Sequence, residues 1–214
     1  MKKRLFIVVI SLIIFSASGA VLVWKFWHGQ DIVIDPNITE EYKNTLNQEM
    51  KGYLEELAQK PNDADVHIKI AVTNQKLGFL SEAERNLKKA LKIRENNSIA
   101  YFYLGKTYMA MKKYDQADKM LRISTELDPS NSAAFLELID LYKKQYPGKA
   151  NELNNIYRAG SDYTQSPEIW ASYGQFLEDR REYRQAWIYW KEVLGAEPEN
   201  RQAKESVERS EGKL

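Results

Sequence analysis

The sequence predicts an all-α fold, a stack of helical hairpins set behind a single hydrophobic span. Three observations carry this. Leu, Ala, Lys, Glu and Gln are abundant while Gly and Pro number only 10 and 6 in 214 residues, a balance that favours helix. Apolar and aromatic positions recur with a period near 34 residues beyond residue 60. Near the start, Leu5 to Trp24 runs without a charge.

The uncharged run comes first in the chain. A helix of that length rises roughly 30 Å, the thickness of a bilayer's hydrocarbon core. Lys2, Lys3 and Arg4 precede it, and Lys25 ends it beside Trp24, Phe26 and Trp27. Aromatic residues of this kind settle at headgroup level, and the basic stub stays on the cytoplasmic side. The run reads as a retained signal anchor over 5–27. Everything after it is then exported, placing the rest of the chain outside the cytoplasm at the cell membrane. A signal peptide cleaved near Ser18-Gly19-Ala20 is the alternative, and it exports the same residues.

The repeat is clearest at 98–131, which carries Tyr101, Leu104, Gly105 and Tyr108, then Ala117 and Leu121, then Pro129. At 167–200 the corresponding places hold Trp170, Tyr173, Gly174, Leu177, Ala186, Trp190 and Pro198. The unit at 64–97 keeps Ala83, Leu87 and Ala90, and 132–166 keeps Phe135, Leu138 and Tyr142. His67, Tyr101, Phe135 and Trp170 lie 34, 34 and 35 residues apart. The alanines 83, 117, 150 and 186 lie 34, 33 and 36 apart. On that alignment the third unit loses a residue in its turn, gains two after its second helix, and has a degenerate second helix. The pattern resembles the tetratricopeptide repeat, W-x2-L-G-x2-Y followed by A-x3-F and P.

The resemblance implies an α-solenoid of tetratricopeptide (TPR) type. The chain then divides into a cytoplasmic stub (1–4), the span (5–27), a linker (28–38), an N-terminal capping helix (39–63), repeats at 64–97, 98–131, 132–166 and 167–200, and a C-terminal capping helix with tail (201–214). Thr39–Gln59 carries Ile38, Tyr42, Leu46, Met50, Tyr53, Leu54 and Leu57 on one stripe and opens with an N-cap threonine. Arg201–Arg209 shows Ala203 and Val207 on an otherwise polar helix, the profile of an end cap.

Composition excludes several functions. Lysine and arginine total 31 against 30 acids, so no bulk charge points to nucleic acid. There is no cysteine, and the two histidines, His28 and His67, cannot make a multi-histidine metal site. Phosphate loops, G-x-S-x-G and H-E-x-x-H are missing. The expectation is therefore no catalytic residue, no metal and no cofactor. His67 stands where the repeat wants a packed bulky residue. Arg85, Lys88, Lys89 and Lys92 form a basic stripe that reads as a solvated face or, alternatively, a lipid contact.

Tetratricopeptide arrays bind proteins or peptides along their first helices, and the resemblance transfers that groove to this chain. It implies Asp65, Ile68, Lys69 and Val72 in the first unit, then Ile99, Phe102, Tyr103, Lys106 and Met109 in the second, and Leu136, Glu137, Asp140 and Lys143 in the third. Glu168, Ala171, Ser172, Gln175 and Glu178 make its fourth, polar stretch. Aromatic and methionine side chains there have the character of binding hot spots. Cover by Thr39–Gln59 or by neighbouring hairpins is the competing reading. The clamp by which some family members hold a chaperone's terminal carboxylates is absent, because its places hold Ile68, Val72, Tyr103, Ala133 and Glu137. The expected role is a membrane-anchored scaffold or adaptor whose partner is a membrane-associated protein, in envelope biogenesis or complex assembly. The alternatives are self-association and the same domain secreted.

Overall fold

The computed structural model describes residues 38–214. The stub, the span and the linker up to residue 37 lie outside the described residues. Among the described residues no helix is long and apolar enough to cross a membrane. The described residues form ten helices in succession: α1 (Glu40–Gln59), α2 (Ala64–Lys76), α3 (Leu80–Ile93), α4 (Ser98–Ala110), α5 (Tyr114–Leu127), α6 (Ser132–Gln145), α7 (Ala150–Thr164), α8 (Pro167–Asp179), α9 (Tyr183–Ala196) and α10 (Arg201–Glu211). They form two compact units, one through Lys89 and one from Ala90 to Leu214.

The helix starts follow from capping chemistry. Asp63, Asn97, Asn131 and Asn200 stand in non-helical conformations before α2, α4, α6 and α10, and the side-chain oxygen of each accepts a backbone N–H of the first turn. Such a bond satisfies one of the four orphan donors at a helix start. Before α8 the place is held by Ser166, with Pro167 at the first helical position, where a missing N–H costs nothing.

Hairpin turns repeat as well. Gly78, Lys112 and Arg181 are left-handed, with φ of 80°, 58° and 63°. In each case the next N–H reaches back five residues: Phe79 to Asn74 (2.8 Å), Lys113 to Tyr108 (2.8 Å) and Glu182 to Leu177 (2.9 Å). This is the Schellman closure. Two of the three turns force a side chain into a conformation that glycine takes without strain.

In the unit through Lys89, α1 packs on α2. Leu46 is the buried residue of its stripe, while Tyr42 and Leu54 are exposed. His67 is buried, its Nδ1 3.1 Å from Asn86 Oδ1 across the α2–α3 hairpin. On the outer face of α3, Arg85 pairs with Glu82 and Lys88 with Glu84, as expected of a solvated surface.

In the unit from Ala90, close approach is set by small residues. A Cβ on Gly105 would lie 2.6 Å from Leu121 Cγ, and one on Gly174 would lie 2.8 Å from Trp190 Cε2. The third hairpin departs from the sequence alignment. Ala117 and Ala186 are the fourth residues of α5 and α9 and fully buried; the fourth residue of α7 is Leu153, while Ala150 is its first and half-buried. The extra residues therefore sit in α6 and its turn, where Pro147 replaces the left-handed closure, and not after the second helix. Nor is α7 degenerate as a helix, since it runs 15 residues and buries Leu153, Ile156 and Tyr157. Its close approach comes from Gly160, whose Cβ would lie 3.2 Å from Phe135. Aligning on alanine identity misplaced the register.

Tyr157 stacks on Tyr173 at 5.0 Å and Tyr173 lies 4.4 Å from Tyr189, joining the third hairpin to the fourth. At the end, α10 buries Ala203, Ser206, Val207 and Ser210. Arg209 holds Glu178 with two bonds (2.8 and 3.3 Å), Ser210 Oγ adds a third (3.1 Å), and Trp187 Nε1 donates to Glu211 (2.8 Å). Glu178, placed by the sequence on the open groove, is thus buried under the cap.

Candidate protein-binding surface

The candidate surface lies on the first helices α4, α6 and α8 of the second unit. Residues 102 and 103 are neighbours on α4, and 106 and 109 follow one and two turns on, so the four share a face. Phe102 and Tyr103 meet edge to face at 5.1 Å, and Lys106 Nζ sits 5.4 Å from the Phe102 ring. All four are half-buried, and Ile99, at the helix start, is 51% exposed.

Lys106 also reaches Glu137 of α6 at 2.9 Å, tying the aromatic pair to the next hairpin. One turn on, Asp140 pairs with Lys144 at 2.8 Å. That bond holds the Lys144 ammonium above its ordinary range. Leu136, Glu137, Asp140 and Lys143 of α6 face Glu168 and Ser172 of α8 across an open depression of about 340 Å³. Its wall is fixed from behind by Tyr157, whose hydroxyl lies 2.8 Å from Ser172 Oγ. The result is an aromatic and aliphatic patch passing into a mixed polar depression, a surface able to bury a side chain and offer charged partners beside it.

The structure brings together Phe102, Tyr103 and Lys106 and connects them through Glu137 to the Leu136–Asp140 face. The first-unit residues lie within their own unit. Ile68 is buried and offers nothing to a partner. Lys69 pairs with Glu56 of α1 at 3.3 Å and lies 5.5 Å from the Tyr53 ring, and Val72 is half-buried. At Lys69, α1 makes the contacts that a groove would leave to a ligand. Glu137's ion pair with Lys106 had no signature in the sequence, because its partner lies on another helix; Asp140–Lys144 was readable as an i, i+4 pair. Among the described residues no group of three His, Cys, Asp or Glu side chains could hold a metal ion.

Comparison with known proteins agrees with this geometry. The tetratricopeptide repeat family matches residues 76–139. The helical hairpins over those residues are therefore of tetratricopeptide-repeat type. Its fold is similar to the crystal structure of MamA, with a TM-score of 0.60 at 20% identity over 80% of this chain and 99% of the other. It is also similar to YrrB, titled a TPR protein with an unusual peptide-binding site, at 0.59 and 16% identity over 76% and 84%. In sequence it is 26% identical over 110 residues to the type IV pilus assembly protein PilF of Pseudomonas aeruginosa. That match covers 51% of this chain and 43% of PilF, so the chain spans less than half the length of this relative.

Proposed function

We propose that this protein is a membrane-anchored adaptor whose repeats, held outside the cytoplasm, bind a segment of a membrane-associated protein on the α4–α6–α8 face. The observation that carries the reading is the Phe102–Tyr103 pair, half-buried and pinned by Lys106 to Glu137. Aromatic side chains held rigid at a surface lose little freedom on binding and bury much area, so they suit a recognition hot spot. The uncharged run from Leu5 to Trp24, basic before and aromatic after, supports an anchor with a cytoplasmic N-terminus. Fewer than fifteen residues separate Lys25 from Ile38, which keeps the repeats close to the bilayer. The similarity to PilF, named for type IV pilus assembly, favours a partner within an envelope machine under construction.

In-cell photo-crosslinking tests the surface. A photoreactive residue at 103 is expected to capture a discrete envelope protein, whereas the same residue at 85, on the outer face of α3, captures none. Capture from both positions alike, or from 85 alone, overturns the assignment. Alkaline phosphatase fused after residue 214 is expected to be active in cells and to stay with the membrane after carbonate washing. An inactive fusion refutes export, and a fully released one refutes the anchor.

A further inference from the structure

A second surface, on the other side of the hairpins, has the chemistry of a binding site. Between α5 and α7 lies a depression of about 400 Å³ with Phe135, Leu138, Ile156 and Ala159 along its floor and Glu126 and Tyr163 at its mouth. Tyr163 is 64% exposed. It belongs to a series: Ile93, Leu127 and Tyr163 occupy equivalent places near the C-terminal ends of α3, α5 and α7, and all three are exposed apolar side chains. An isolated exposed apolar residue is ordinary, but Tyr163 is the one of the three that lines an apolar hollow.

The electrostatics name the partner's charge. A helix C-terminus carries a partial negative charge and normally takes Lys or Arg in its last turn. Neither α5 nor α7 has a basic residue there. Each instead has an acid, Glu126 in α5 and Asp162 in α7, at the end where an anion is least favoured. Asp162 faces the Tyr173–Tyr189 side, but Glu126 opens onto the depression. The nearby cation does not relieve it. Arg122 Nε binds both Asp118 oxygens at 3.0 and 3.1 Å, and its Nη2 binds the Tyr142 hydroxyl at 2.7 Å. Glu126 has no ion-pair partner among the described residues.

We infer that the α5–α7 depression binds a partner segment in which one apolar side chain is flanked by Lys or Arg: the apolar group fills the hollow over Phe135, Leu138 and Ile156, and the cation meets Glu126 and the α5 C-terminus. This site is separate from the first-helix face and can be occupied whether or not that face is.

The test uses the full chain in zwitterionic nanodiscs and a fluorescein-labelled peptide, Lys-Arg-Leu-Arg-Lys, with empty discs as the blank. Ala159→Phe fills the hollow and is expected to weaken binding about tenfold or more, the worth of burying one leucine. Glu126→Lys is expected to weaken it about fivefold or more and to flatten its salt dependence. The same substitution should raise the melting temperature of the free protein, since lysine suits a helix C-terminus. Tyr103→Ala should leave the peptide's affinity unchanged, which separates this site from the first-helix face. Binding no stronger than that of Glu-Asp-Leu-Asp-Glu, loss of affinity in Tyr103→Ala, indifference to Ala159→Phe, or a lower melting temperature in Glu126→Lys would each overturn the proposal.

Discussion

Gly174→Ala adds one methyl group to the tightest contact in the fourth hairpin, and the structure fixes the sign of its effect. In an open helix the change stabilises by about 0.5–1 kcal/mol, because glycine gives up more backbone freedom on folding than alanine. Here the new Cβ would lie 2.8 Å from Trp190 Cε2, 2.9 Å from Nε1 and 3.1 Å from Cδ2. A carbon contact is comfortable only near 3.5 Å or beyond. The indole is a rigid plane, fully buried, so it cannot swing aside as a lysine tip could. The helices must part or the ring must leave its rotamer, and overpacking of this kind costs about 1–3 kcal/mol. With three ring atoms in the way the cost falls in the upper half of that range, leaving a net loss of about 1–2 kcal/mol after the helix gain. Thermal unfolding followed by circular dichroism should show the midpoint falling by about 3–8 °C in a chain of this size. Gly52→Ala in α1 is the internal control. Nothing lies within 4 Å of its Cβ, and the midpoint should rise by about 1–3 °C. A Gly174→Ala variant as stable as the wild type would refute the claim that glycine is there to admit Trp190.

Other consequences can be measured on the same material. Lys112→Gly and Arg181→Gly should each stabilise by about 1 kcal/mol, because both positions are left-handed, and Gly78→Ala should cost about as much; equal melting temperatures for all three would remove strain from the account of the turns. Arg209→Ala should destabilise by about 1–3 kcal/mol by leaving the buried Glu178 carboxylate with Ser210 alone, and should raise amide exchange in α10 before any other helix; uniform exchange across α8–α10 would show that the latch is incidental. Burial pushes the Tyr173 phenol up to about 12, and the hydrogen bond to Asp115 (2.6 Å) pushes that of Tyr146 up to about 12. An unfolded tyrosine ionises near 10, so between these values the unfolded chain loses protons that the folded chain keeps, and stability falls as pH rises from 10 to 12. Urea midpoints across that window should decline less steeply in Tyr173→Phe than in the wild type, and parallel slopes would contradict the assignment.

Much of the fold was open to inspection in the sequence because a repeat writes the same local physics several times. Asp63, Asn97, Asn131 and Asn200 cap in the same way, and Gly105 and Gly174 admit Leu121 and Trp190 by the same close approach. Each is a rule about residues near in sequence, and reiteration separates it from accident. The third hairpin escaped because its solution differs in kind. Pro147 cannot donate to the left-handed closure, the turn lengthens, and the small residue moves from the first helix to Gly160 on the second. An alanine in sight at position 150 then served as a false landmark.

What the sequence could not supply is which faces the chain itself occupies. The groove positions on α2 and those on α4 have the same register and similar character, yet Ile68 is buried and Lys69 is paired with Glu56, while Phe102 and Tyr103 stay half-exposed. Glu178 differs from Glu168 by less than three helical turns, and only the first lies beneath Arg209 and Ser210. In each case the deciding residue lies on a capping helix, α1 or α10, outside the repeat whose pattern was being read. Repeat periodicity specifies how one hairpin meets the next, but each capping helix occurs once, and no second copy in the chain reveals what it will cover. The same holds for Glu126, which looks like any surface acid until α5 is seen to end beside it over an apolar hollow. In a repeat protein, then, pattern locates the scaffold, whereas the surfaces left for partners are found by asking which positions the ends and turns have not already used.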